Sequence, residues 1–106
     1  MSRRFQVTLH GTGFSVPVER DKPIRGFFTI RRVLADSPED AEQEAISMLE
    51  QEEKYQWLVE TTEREVGFRG GWRVRLESIG QLSWLRWHFS KYSQSFIFYS
   101  DGETHG

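Results

Sequence analysis

Not one of the 106 residues is cysteine, so neither a disulfide framework nor a thiolate zinc site can form. Small secreted domains often depend on disulfides, and their absence here makes the cytoplasm the expected location. No stretch approaches the ~20 consecutive apolar residues of a membrane helix, so no membrane association is expected. Arg3-Arg4 is followed by the alternating Phe5-Gln6-Val7-Thr8-Leu9-His10. A signal peptide would carry a solid apolar run there.

The elements of catalysis are equally sparse. His10, His88 and His105 are the three histidines, and no two have zinc-site spacing. His10-Gly11-Thr12-Gly13 has neither the third glycine and following helix of a dinucleotide fingerprint nor a partner nucleophile turn of the Gly-x-Ser-x-Gly type. It reads as a turn at a strand end. Gly67-Phe68-Arg69-Gly70-Gly71 is followed by no Lys-Ser or Lys-Thr and is no phosphate loop. The acids Glu50, Glu52 and Glu53 read as a solvated helix surface. An enzyme is not expected, and neither is a metal or a cofactor.

What the chain does have is rings. Eight Phe, four Trp and three Tyr supply much apolar area for a domain of this length. Its 37% hydrophobic and 28% charged residues exclude a wholly disordered chain. Residues 1–106 are expected to form a single domain, with 101–106 as a frayed tail.

Alternation over residues 5–10 predicts a first strand. Pro17, Pro23 and the charges between them predict a loop or the tip of a long hairpin. A second strand is predicted from about Ile24 to Leu34. Its phase slips where Arg32 falls on the apolar side and Val33 on the polar one, and a β-bulge near Arg31-Arg32 would restore Val33 to the core. Ser37-Pro38-Glu39-Asp40 opens a helix: serine caps free amides, proline fits the first turn, and the acids meet the positive end of the dipole. Ala41, Ala45, Met48 and Leu49 form its buried stripe, and it ends near Glu53 or continues unevenly to Leu58. Tyr55, Trp57, Leu58 and Val59 anchor to the core in an ambiguous element, and Thr61 to Gly71 reads as a loop. Trp72, Val74 and Leu76 predict a third strand. Leu82 to Phe89 is a short helix or strand, and Ser95 to Ser100 a final strand. The fold class is therefore α+β: a mainly antiparallel sheet of about four strands with one main helix on one face, in the order β-β-α-β-β, with one uncertain short element before the last strand.

Charge is divided unevenly. Residues 35–66 hold eleven acids against Lys54 and Arg64, a balance of −9, while the rest holds twelve bases against five acids, a balance of +7. The surface should be polarised. Arg25, Phe27, Thr29 and Arg31 are expected on the strand face turned away from the helix, with Arg73 and Arg75. Trp84, Arg86, Trp87 and His88 either extend that patch or close the core. Two readings follow. The first is a small non-catalytic module for a protein partner or for self-association as a homo-oligomer, since aromatics and arginine concentrate in interfaces. The alternative is single-stranded RNA or DNA held on a basic, aromatic-interleaved sheet by phosphate contact and base stacking, with Arg25, Phe27, Arg31, Arg73, Arg75, Trp84 and Arg86 as candidates.

Overall fold

The fold was obtained as a computed structural model, which describes residues 2–18, 21–66, 71–83, 86–87 and 96–100. The sequence patterns for 101–106, His88 and Trp84 fall outside these. The elements run β1 (Arg3–Thr12), β2 (Val16–Val18), β3 (Asp21–Ala35), α1 (Pro38–Glu50), α2 (Glu53–Val66), β4 (Arg73–Gln81) and β5 (Phe96–Ser100). The architecture is α+β, and the described residues form five antiparallel strands and the two helices α1 and α2.

The long hairpin is the frame. Arg3 pairs with Ala35, and the register holds without a slip to Gly11 opposite Phe27. Gly13, with φ of 82°, breaks the outgoing strand. Phe14 N then donates to Arg25 O (3.2 Å), and β2 continues along the same edge of β3, with Val16 opposite Ile24. The segment read as a loop or hairpin tip thus adds a fifth, short strand. β4 joins the free edge of β1, and β5 joins the other edge of β3. Every pairing among the described strands is antiparallel.

Register settles which face is core. Phe5, Val7 and Leu9 are buried, and their partners Val33, Arg31 and Thr29 are buried with them. Directly paired residues share a face, so Phe27, Thr29 and Arg31 point at the helices, while Phe28, Ile30, Arg32 and Leu34 point away. This reverses the expected faces of the second strand. The expected bulge at Arg31-Arg32 does not occur; the register shift in β3 lies between Ile24 and Gly26, where β5 pairs. Arg31 is instead a fully buried arginine.

Ser37 caps α1 as expected, its Oγ accepting from Asp40 N (3.1 Å), with Pro38 in the first turn. Ala41, Ala45 and Leu49 are fully buried, and Met48 is half-buried. α1 lies against β1, β3 and β4. At Gln51-Glu52 the helix stops, and α2 begins one residue on. The ambiguous element and the first part of the predicted loop are one helix. Its inward stripe is Tyr55, Leu58, Val59 and Thr62, spaced by three and four, and Thr62 Oγ1 accepts from Ser15 N (3.1 Å). Trp57 is 47% exposed and does not anchor to the core.

Between sheet and helices the rings of Phe14, Phe27, Tyr55, Trp72 and Phe96 meet edge-on or stacked, with centroids 5.2–6.4 Å apart. Gly11 is required there, because the ring of Phe27 occupies the place of a side chain.

Candidate functional site

Both helices cover one face of the sheet, and they carry most of the acids. The opposite face is built from alternate residues of β1, namely Gln6, Thr8, His10 and Thr12, and their cross-strand partners. In β3 these are Arg32, Ile30 and Phe28; in β4 they are Gly80, Ser78, Arg75 and Arg73. A register shift between Thr8 and Leu9 makes Glu77 the extra residue of β4 and keeps Arg75 and Arg73 on this face.

At its centre three rings interlock. His10 stacks on Phe28 with centroids 4.2 Å apart and an interplanar angle of 15°. Tyr99 of β5 leans against both, at 5.6 Å from His10 and 5.8 Å from Phe28. Its hydroxyl lies 2.7 Å from His10 Nε2, and Glu77 Oε2 lies 3.7 Å from His10 Nδ1. Which of the tyrosine hydroxyl and Nε2 donates is set by the imidazole tautomer. Gly26 is needed below, since any side chain there would strike the Tyr99 ring. The imidazole, held on two sides and stacked on a third, fixes a rigid aromatic platform.

Cations surround it. Arg73 and Arg75 are exposed opposite Thr12 and His10. Arg32 is half-buried, its Nε donating to Gln6 Oε1 (3.2 Å) and its Nη1 to Trp87 O (3.3 Å). Arg86 stands nearby, exposed. Glu77, beside His10, brings a carboxylate to this part of the sheet.

Of the residues singled out from sequence, Arg73, Arg75 and Arg86 lie on or beside this open face. Arg25 is half-buried and donates to Ser15 Oγ (3.2 Å). Phe27 and Arg31 are withdrawn from solvent, contrary to the expected face, because β1 pairs with β3 in the register that turns both toward the helices. Trp84 lies outside the described residues. The residues that the sequence reading missed are Phe28, Arg32 and Tyr99. The signal that finds them is the polar series Gln6, Thr8, His10 of β1, which marks the face its partners must share.

Comparison with protein-family models, curated proteins and solved structures finds no match. Among the described residues no helix is long and apolar enough to cross a membrane.

Proposed function

We propose that the protein is a binding module that holds single-stranded nucleic acid on the open face of its sheet. The observation that carries this reading is the division of charge across the sheet. Acidic helices cover one face, while the other carries the His10–Phe28–Tyr99 platform with Arg73 and Arg75 at one end and Arg32 and Arg86 at the other. A chain with net charge −2 can still attract phosphate through such a face, because local potential decides encounter. The platform offers aromatic surface to bases, a contact worth about 1–3 kcal/mol per base and tolerant of sequence. The arginines would follow the backbone. Cytoplasmic residence belongs to the same proposal.

Fluorescence anisotropy with mixed-sequence RNA and DNA octamers tests it. Four phosphate contacts give a slope of log affinity against log salt of about −3, and Arg73→Glu with Arg75→Glu should flatten that slope by at least about 1.4. No binding at low salt would overturn the reading.

A second reading has its own observation. Ile97 and Leu34 are 60% and 57% exposed, and Leu34 is on this face. Exposed apolar side chains suit contact with a second copy of the chain or with another protein. Light scattering over a concentration series decides it: dimers support self-association, and a strict monomer removes it.

A further inference from the structure

The open face has a second feature, beside the rings. Beyond β4 the chain turns back at Leu82, whose N donates to Arg4 O (2.7 Å). Residues 86–87 are helical and tied to Ser83: Trp87 N donates to Ser83 O (3.0 Å), and Arg86 N donates to Ser83 Oγ (3.2 Å). Arg32 ties this turn to the sheet through Trp87 O. Between turn and strands lies a cleft of about 510 Å³ lined by Gln6, Thr8, Arg32, Ser78, Gly80 and Arg86, with Ile79, Gln81 and Leu82 completing it. Among the described residues no carboxylate lines it.

We infer that this cleft binds a phosphomonoester, the terminal phosphate of a strand whose bases rest on the His10–Phe28–Tyr99 platform. The strand's identity rests on the nucleic-acid reading above; the phosphate site does not. Two guanidinium groups, two hydroxyls and an amide line it, and among the described lining residues there is no carboxylate, which is the donor set for a compact dianion. A carboxylate has two oxygens to offer these donors and one charge. An internal phosphodiester has two unesterified oxygens and one charge. A terminal phosphate has three oxygens and close to two charges. Arg32 is held by Gln6 on one side and by the Trp87 carbonyl on the other, so its fork is fixed before an anion arrives. Thr8 and His10 are two residues apart on one face of β1, about 7 Å, a distance that a single nucleotide spans between its phosphate and its base. The same phosphate chemistry is also carried by a free mononucleotide.

Gly80 provides the test. A Cβ built there meets nothing within 4 Å, so Gly80→Leu adds an apolar side chain at the cleft wall from a position with room for it. Octamers carrying a 5′-phosphate, a 3′-phosphate or hydroxyls at both ends are compared by anisotropy. Inorganic phosphate and a mononucleotide are titrated in parallel, with the Ser78 and Gly80 amides followed by NMR. One phosphorylated end is expected to bind about ten-fold more tightly than the hydroxyl-ended strand. Gly80→Leu, checked for an unchanged melting temperature, should erase that preference and leave the hydroxyl-ended affinity intact. Arg86→Gln should reduce it. Equal affinity for all three strands, with no phosphate-induced shift at Ser78 or Gly80, overturns the inference and leaves the nucleic-acid reading standing. The reverse is also decisive: if no octamer binds but the mononucleotide moves both amides in the wild type and not in Gly80→Leu, the cleft is upheld for free phosphorylated compounds and the nucleic-acid reading falls. Phosphate binding that survives Gly80→Leu unchanged places the anion elsewhere and overturns the inference.

Discussion

Removing Glu52 should harm this fold far more than removing Arg31, although the two form one ion pair. Arg31 is completely buried, and its Nη1 donates to Glu52 Oε1 at 2.5 Å. Its Nε and Nη2 have no hydrogen-bond partner among the described residues, and its guanidinium lies 5.5 Å from the centre of the Phe96 ring. Glu52→Ala leaves the whole cation buried with that ring as its remaining electrostatic partner. Stranding one member of a buried pair costs about 3–5 kcal/mol. Glu52 keeps 30% of its side chain in solvent, so water can reach the gap and the lower end, about 3 kcal/mol, is expected. For a domain of this length that is a fall in melting temperature of roughly 12–20 °C. Arg31→Met behaves differently. Methionine fills a similar volume between Val7 and Phe96 without a charge, and Glu52, already at the surface, returns to water. Replacing buried ion pairs by apolar residues is often neutral or stabilising, so a cost below about 1 kcal/mol is expected. Urea unfolding followed by tryptophan fluorescence measures all three proteins, with Arg31→Met/Glu52→Ala closing the cycle near Arg31→Met alone. Equal costs for the two single variants would refute the reasoning, since they would show that the pair is worth its mutual attraction and that the burial of the cation adds nothing.

Phe27→Ala should act on folding and not on ligand: a loss of about 3–5 kcal/mol by urea unfolding, with affinity for an octamer unchanged at a temperature where the variant is folded. Leu49→Ala, which empties a fully buried site beneath α1, should cost about 2–5 kcal/mol in the same assay. Tyr55 has its hydroxyl pushed above its usual value near 10, first by burial and further by Glu50, against a hydrogen bond from Trp72 that lowers it. The unfolded chain therefore ionises this tyrosine first, so its contribution is intact below pH 10 and is lost as pH rises through the folded value. Stability measured by urea unfolding from pH 8 to 11 should be less alkali-sensitive in Tyr55→Phe than in the wild type.

The elements legible in the sequence were those where local pattern and tertiary demand agree. Phe5, Val7 and Leu9 alternate with polar residues, and β1 follows. Ser37-Pro38 starts a helix for reasons confined to one turn, and α1 starts there. β3 is different. Its two faces, Phe27-Thr29-Arg31-Val33 and Phe28-Ile30-Arg32-Leu34, each hold one arginine and several apolar side chains, so its own pattern cannot choose between them. Pairing with β1 chooses, and one residue of register exchanges the faces. That exchange moved Phe27 and Arg31 into the core and brought Phe28 and Arg32 onto the open surface. α2 was hidden for another reason. Its stripe ends in Thr62, a β-favouring residue that is buried because it accepts a hydrogen bond from Ser15, a partner 47 positions away. The stop at Gln51-Glu52 has no glycine or proline to announce it; it places Glu52 against a buried arginine. Of the open face, Arg73 and Arg75 could be read from alternation alone. The His10–Phe28–Tyr99 platform joins β1, β3 and β5, which only the folded sheet brings together.

The most direct measurement of the central claim is where an oligonucleotide touches the protein. Titrating a mixed-sequence octamer into ¹⁵N-labelled protein at low salt and following backbone amides maps that contact residue by residue. Shifts are expected at Thr8, His10, Phe28, Arg75 and Tyr99, fading as salt is raised, while α1 and α2 stay unmoved. Shifts concentrated on the acidic helices, or none on the open face at any strand concentration, would contradict it.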